Sequence, residues 1–123
     1  MDTLYRLVQT ERGVDREEIE VSPVEGIITQ AGLSNERTYR NGPSLSLKLS
    51  TDENNHYVLF DASFRVDVGE RVRAFPLEKS HPNSDFRRTM GLQILAEDGT
   101  EKFRYEGCDH QFEYKIMSPD EEF

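Results

Sequence analysis

The sequence predicts an all-β protein, a small and closed or nearly closed barrel of five or six short strands with little helix. Residues 44–50, SLSLKLS, alternate leucine with polar residues, which is the period of a strand with one buried face. Asn-Gly-Pro at 41–43, Gly69 and Asp-Gly at 98–99 are turn signals. Short strands separated by turns favour a barrel, because closure removes exposed strand edges. A two-sheet sandwich is the alternative, but 123 residues with this strand count fit a barrel better.

The N-terminal segment 1–18 precedes the predicted barrel. Leu4, Leu7 and Val8 have helical spacing, which predicts a short helix or an N-terminal arm. Beyond this segment the apolar period shortens to two residues. Residues 19–28 are therefore predicted to form the first barrel strand.

A polar loop at 31–43 and then a hairpin over 44–61 are predicted next. Every second residue of the first hairpin strand is a leucine: Leu45, Leu47 and Leu49. A turn follows, and 56–61 return as the second strand. The three leucines are expected to face the interior of one barrel, which would place the two long polar loops, 31–43 and 78–88, on one rim.

Gly69 lets the chain turn into the next strand. Val72 and Phe75 are expected to face inward there, whereas Arg71 and Arg73 share the solvated face. Three acidic residues lie close by in the sequence: Asp61, Asp67 and Glu70. Cross-strand ion pairs with these carboxylates are the favoured role of the two arginines, ahead of ligand contact.

The C-terminal part of the chain adds a hairpin and one short strand. Residues 89–97 and 100–107 are predicted to pair across the Asp-Gly turn, and 111–117 add one further strand. The predicted barrel domain therefore spans 19–117. A solvated acidic tail, 118–123, follows it.

Charge is unevenly distributed along this acidic chain, whose net charge is −9. Residues 1–23 hold three basic and six acidic residues, and 107–123 hold one basic and five acidic residues. The segment between them is close to neutral, with eleven basic and thirteen acidic residues. Because the whole molecule repels phosphate backbones, non-specific nucleic-acid binding is disfavoured, but a local basic patch on the middle segment is compatible with this charge.

The sequence also predicts a cellular setting. Cys108 is the single cysteine and cannot form an internal disulfide, which favours a reducing compartment. No apolar run approaches the roughly 18 residues of a membrane-spanning helix. The N-terminus lacks the basic and apolar regions of a signal peptide. A cytoplasmic protein with no membrane contact is therefore expected.

Three segments together carry a resemblance: VEGIITQ at 24–30, the hairpin at 44–61, and VDVGERVRAF at 66–75. A strand carrying a glycine, a hairpin, and a strand entered through Gly-Glu follow each other in an order that resembles the OB fold, the oligonucleotide/oligosaccharide-binding barrel. The resemblance covers about 19–97, and the usual helix between strands three and four is missing or reduced. It implies that a ligand would lie across the second and third barrel strands, between the two long loops.

Both long loops combine basic residues with aromatic rings. Aromatic rings stack on bases and arginines hold phosphates, so this composition at the place that the resemblance implies suits single-stranded DNA or RNA. Lys48 and Tyr57, on the two hairpin strands, would continue the track between the loops. The candidate binding residues are Arg37, Tyr39, Arg40, Lys48, Tyr57, Lys79, Phe86, Arg87 and Arg88.

A protein partner is the alternative of equal weight. In that case the acidic ends of the chain would supply recognition or solubility. Sugar binding is a third option for the same architecture, supported by no residues beyond Tyr39 and Tyr57.

No catalytic or metal-binding pattern is found in the sequence. It contains neither a P-loop nor the dinucleotide-binding glycine pattern. Cys108 and His110 lie two residues apart, but a structural zinc site needs four ligands and no second pair is present. The carboxylates are scattered, so no acid–base pair can be chosen. The protein is therefore expected to be a non-enzyme with neither a metal nor a cofactor.

Overall fold

The computed structural model describes residues 2–37, 43–51, 55–61, 66–77, 86–109 and 111–121. Within these residues the chain forms nine β-strands and no helix, which confirms the all-β prediction. In chain order the strands are Thr3–Thr10 (β1), Gly13–Glu18 (β2), Val24–Arg37 (β3), Pro43–Ser50 (β4), Asn55–Asp61 (β5), Arg71–Pro76 (β6), Phe86–Leu95 (β7), Glu101–Glu106 (β8) and Tyr114–Met117 (β9).

Five of these strands close into a barrel. The larger sheet has the order β5-β4-β3-β6-β7-β8. In addition, β5 and β7 pair in parallel over three residue pairs: Tyr57–Phe86, Val58–Arg87 and Leu59–Arg88. This pairing closes the ring β3-β4-β5-β7-β6, so the small OB-like barrel is confirmed. Since β6 occupies one edge of β7, β8 follows β5 along the other edge.

The barrel interior is filled by apolar side chains. Leu47 and Leu49 are fully buried there, as predicted. The side chain of Leu45 lies outside the described part of the structure. Val66 in the connector before β6 and Tyr105 on β8 pack into the same cluster. Side chains from outside the five barrel strands thus complete the core.

The prediction of a short helix or arm for 1–18 is wrong. β1 and β2 form an antiparallel hairpin around a turn that ends at Gly13, whose φ of 124° favours glycine. Both faces of β1 are covered, since Leu4 packs into an apolar core and Tyr5 lies under the guanidinium of Arg16, 4.8 Å from its ring centre. A strand covered on both faces lacks the alternation that reveals a strand in sequence.

Two strand boundaries also differ from the prediction. The first barrel strand begins at Val24 and continues to Arg37, so 31–37, predicted as loop, pair with β4. Similarly, β7 begins at Phe86, and 86–88, also predicted as loop, pair with β5. Neither extension shows a clear apolar alternation, and both are strands because a partner distant in sequence pairs with them. Local pattern does not report such a partner.

Gly26 lies where β3 passes from one neighbour to the other. This strand pairs with β6 at Val24–Ile27 and with β4 from Ile27 onward. A Cβ atom at position 26 would lie 2.7 Å from the backbone oxygen of Ser50. Only glycine leaves room for this close approach, which explains the glycine in the first barrel strand.

A second sheet, with the order β2-β1-β9, packs on the outside of the β6–β7 wall. Its apolar core is formed by five buried side chains: Leu4, Phe75, Met90, Tyr114 and Ile116. Phe75 is therefore buried as expected, but outside the barrel. The backbone of β7 comes close to this sheet at Gly91, where a Cβ would lie 3.0–3.1 Å from side-chain atoms of Ile116 and Leu4.

Polar contacts from β8 seal the outer edge of β9. The N–H of Ile116 donates to Glu106 Oε2 at 2.8 Å, and Arg104 Nη1 donates to the carbonyl of Ile116 at 2.7 Å. The N–H of Tyr114 donates to the carbonyl of Gly107 at 2.9 Å. Two charged side chains therefore take the place of a neighbouring strand and join the second sheet to the barrel.

Replacing Gly26 by alanine is expected to destabilise the protein by about 1–3 kcal/mol, because the added methyl group meets a backbone oxygen that cannot rotate away. Gly32→Ala, also in β3, is the matched control, since a Cβ there meets nothing within 4 Å. Urea unfolding of the three proteins measures the difference. Equal free energies of unfolding for the two variants would show that the contact with Ser50 imposes no constraint.

Tyr114 is expected to make stability depend on high pH. Burial, and then the hydrogen bond that Tyr114 Oη donates to Asp109 Oδ2 at 3.0 Å, raise the pKa of Tyr114 to about 12 from 10.0. A raised folded-state pKa favours the neutral phenol, so its contribution is complete below about pH 10 and is lost as the pH rises through about 12. Urea unfolding should therefore show less alkaline loss for Tyr114→Phe than for the wild type. Identical pH profiles would contradict this role.

Candidate nucleic-acid interface

Four strands bring one residue each into a single cross-strand row. Gln30 of β3 pairs with Lys48 of β4, Lys48 pairs with Tyr57 of β5, and Tyr57 pairs with Phe86 of β7. Directly paired residues share a face of a sheet, so Gln30, Lys48 and Tyr57 project together. Their neighbours Leu49 and Val58 are buried in the barrel, which places the row on the outer surface. We call these four residues the 30–48–57–86 row.

The row brings three sequence-predicted candidates to consecutive positions: Lys48, Tyr57 and Phe86. The backbone of Phe86 fixes its register, while its side chain lies outside the described part. Gln30 was not predicted from the sequence, because it falls in a segment assigned to the strand–loop boundary. Only its pairing with Lys48 identifies Gln30 as a member of the row, and the residues around position 30 do not reveal that pairing.

A groove of about 490 Å³ runs beside this row. It is lined by Thr29, Gln30, Ala31, Gly32, Leu47, Lys48, Tyr57 and Val68. Val68 is 62% exposed, although it is apolar, and forms part of the lining from the connector before β6. Thr29 Oγ1 donates to the carbonyl of Lys48 at 3.3 Å and lies 3.3 Å from Ser50 Oγ, which ties β3 to β4. The groove thus combines an apolar lining with one lysine, one amide and one phenol.

Arg87 and Arg88 are neighbours on β7 and belong to opposite faces of that strand. Arg88 pairs with Leu59, two residues beyond Tyr57, and so belongs to the outer face of the row. Arg87 pairs with the buried Val58, and its Nη2 lies 3.2 Å from His56 Nδ1. It lines a different cavity, of about 550 Å³, between the 18–22 segment and Pro76. The structure therefore separates Arg87 from the other candidates.

The remaining candidates belong to the two long loops. Arg37 ends β3 opposite Pro43, and its side chain is not described. Tyr39, Arg40 and Lys79 lie outside the described residues, so their roles stay predictions.

The described residues that flank the two loops do not share a rim, contrary to the prediction. Arg37 and Pro43, which end β3 and begin β4, lie beside the Ser44–Asp61 pair at the end of β5. Phe86, which begins β7, pairs with Tyr57 near the start of β5. The points at which the two loops leave the described strands therefore lie toward opposite ends of β5.

Arg71 and Arg73 are held in cross-strand ion pairs, as predicted. Their guanidinium groups lie 3.8 and 3.6 Å from the carboxylate of Glu25 on β3. Arg73 also donates to Gln93 Oε1 at 3.3 Å. Glu25 was not among the carboxylates predicted, because it is distant in sequence and is brought alongside β6 by strand pairing.

The acidic ends of the chain converge on the side of the barrel away from the row. Residues 1–23 carry −3 (three basic, six acidic) and 107–123 carry −4 (one basic, five acidic), out of a net −9. β1 and β2 come from the first segment and β9 from the second, and they form one sheet on the β6–β7 wall. In the ring order, β4 lies across the barrel from that wall. The two segments that carry most of the net negative charge thus contribute their strands to a sheet away from the β4–β5 face.

The resolved pKa shifts in the described part belong to structural contacts away from the row. The guanidinium of Arg6 donates to Glu17 Oε1 at 2.7 Å and holds the pKa of that carboxyl below its ordinary value. The hydroxyl and N–H of Thr100 likewise lower the pKa of Asp98 in the β7–β8 turn. Such stabilised carboxylates are fixed as anions and accept hydrogen bonds, which suits a structural role.

Within the described ranges, no group of three His, Cys, Asp or Glu side chains is placed to hold a metal ion. His110, considered with Cys108 in the sequence, lies outside those ranges. The described residues also contain no helix long and apolar enough to cross a membrane.

No protein-family model, no curated protein and no solved structure matches this chain.

Proposed function

We propose that this chain is a non-catalytic OB-type module that binds single-stranded DNA or RNA along the outer β4–β5 face. The observation that carries the proposal is the 30–48–57–86 row, which sets a lysine beside a tyrosine in direct cross-strand register. A groove with a partly apolar lining runs beside them. Aromatic side chains and a cation along a groove are the combination that holds unpaired bases and their backbone.

Each member of the site has a distinct part in this proposal. Tyr57 offers a ring for base stacking, which contributes about 1–3 kcal/mol per base in such sites. Lys48 and Arg88 are cations for backbone phosphates, and no described residue forms an ion pair with Lys48. The amide of Gln30 can both donate to and accept from a base edge.

Electrostatics limit the number of phosphates that this face can hold. Lys48 and Arg88 are the two cations placed on it within the described residues. Single-stranded binding loses affinity with salt at a log–log slope of about −0.7 for each phosphate neutralised, so two contacts correspond to a slope of about −1.4. A shallow salt dependence is therefore expected, with stacking as the larger contribution to affinity.

Tyr57→Ala is expected to weaken binding of labelled oligo-dT and oligo-U by about 5- to 160-fold, because it removes the stacking ring. Lys48→Ala should weaken binding less and make the salt slope shallower by about 0.7. Fluorescence anisotropy at low salt, followed by a salt titration, measures both effects.

Phe103→Ala and Lys115→Ala are the matched controls, because they remove an exposed ring on β8 and an exposed lysine on β9. Both should bind like the wild type. Absence of binding at tens of micromolar protein would overturn the proposal, and so would equal losses in the variants and their controls.

A further inference from the structure

The two outer edges of the second sheet, β9 and β2, differ in whether their backbone groups are hydrogen-bonded. On β9, three hydrogen bonds from β8 and Gly107 occupy the outward backbone groups of Tyr114 and Ile116. On the other side the sheet ends at β2, and no described strand pairs with the outer edge of that strand. The six residues of β2 are almost all exposed. One edge of the sheet is therefore sealed, and the other presents its backbone to solvent.

The backbone hydrogen bonds to β1 decide which backbone groups of β2 face outward. The N–H of Ile19 donates to the carbonyl of Leu4 at 2.9 Å, so odd-numbered residues in this stretch bond to β1. Val14, Arg16 and Glu18 consequently direct their N–H and C=O groups away from β1. These are the groups that an added strand would use.

Asp15 covers the middle of this edge. The outward N–H of Arg16 donates to Asp15 Oδ1 at 2.8 Å. The side chain of Arg16 itself is folded back across the sheet, over the ring of Tyr5 to the carbonyl of Pro119 at 3.2 Å. Among the described contacts, the short carboxylate of Asp15, rather than a long side chain, therefore occupies the backbone donor that a new strand would use.

We propose that the outer edge of β2 binds an extended basic peptide segment of another protein as an added strand. The charge of β2 selects this occupant, since 13–18 hold three acidic residues and one basic residue. A lysine or arginine opposite Asp15 would form an ion pair with the carboxylate and draw it off the N–H of Arg16. The basic strand thereby releases the backbone donor that it then uses.

A neutral strand and a second copy of β2 would both bind this edge less favourably, because of the charge of Asp15 and its neighbours. A neutral strand must displace Asp15 without compensating its charge. A second copy of β2 would bring its own net charge of −2 (one basic, three acidic residues in 13–18) against the first. Val14, which is 51% exposed, adds an apolar contact for the residue opposite it.

The test uses the full chain and a blocked ten-residue peptide that alternates lysine with valine. Its isosteric counterpart has glutamine in place of lysine. Titrations followed by ¹⁵N amide shifts should show tighter binding of the lysine peptide by at least tenfold, with the largest shifts in 13–18.

Val14→Pro removes an outward N–H but no charge and no bond to β1, so it should abolish binding if the peptide adds as a strand. Amide spectra of the variant verify that its hairpin is intact.

Asp15→Ala should reduce the preference for lysine over glutamine several-fold, because the neutral peptide no longer has to displace the carboxylate. Glu97→Ala, in the β7–β8 turn, removes the same charge elsewhere and should leave the preference unchanged. Unaltered binding by Val14→Pro would show adsorption by charge alone and overturn the proposal. So would self-association through 13–18 in sedimentation, or shifts centred on β4–β5. Oligonucleotide binding by Val14→Pro tests the other face separately, so the two proposals can fail independently.

Discussion

The parallel pairing of β5 with β7 is the contact on which the molecule depends. It consists of three residue pairs, yet it turns a six-stranded sheet into a closed barrel. Without it, β5 and β8 would be the two free ends of an open sheet. The same three pairs place Phe86 beside Tyr57 and Arg88 beside Leu59. The contact that closes the barrel therefore also assembles the candidate surface.

β7 then joins this barrel to the second sheet. Leu92 of β7 packs inside the barrel, whereas its neighbour Gly91 admits the side chains of Leu4 and Ile116 from outside. Gln93 is buried, and its amide bonds to Arg73 at 3.3 Å and to Asp2 and Glu101 at 3.1 Å. Since a buried amide without partners is costly, this residue holds four segments of the chain in register.

The sequence predicted the features of this fold that depend on residues close together in the chain. The alternating leucines revealed a strand with one buried face, and Gly69 and Gly99 marked turns in which both adopt positive φ. The N-terminal hairpin escaped prediction because both faces of β1 are covered. The extension of β7, the partner Glu25, and Gln30 in the row escaped because each is defined by pairing with a distant strand. The resemblance to the OB fold indicated Lys48 and Tyr57 by their places on the hairpin, but only the register makes them neighbours.

The pairing of β1 with β9 explains how a chain of net charge −9 can present a row that contains a lysine and no acidic residue. Two acidic segments from opposite ends of the sequence are folded into one sheet, and the packing of Phe75 and Met90 fixes that sheet to the β6–β7 wall. Interactions between exposed charges more than about 8–10 Å apart are largely screened by salt at physiological ionic strength. Placing the acidic segments on the wall across the ring from β4 therefore weakens their repulsion of an anion beside Lys48. Net charge therefore describes neither surface well. The two proposed ligands, a basic strand and a single-stranded nucleic acid, would therefore bind at separate surfaces, the edge of β2 and the β4–β5 face.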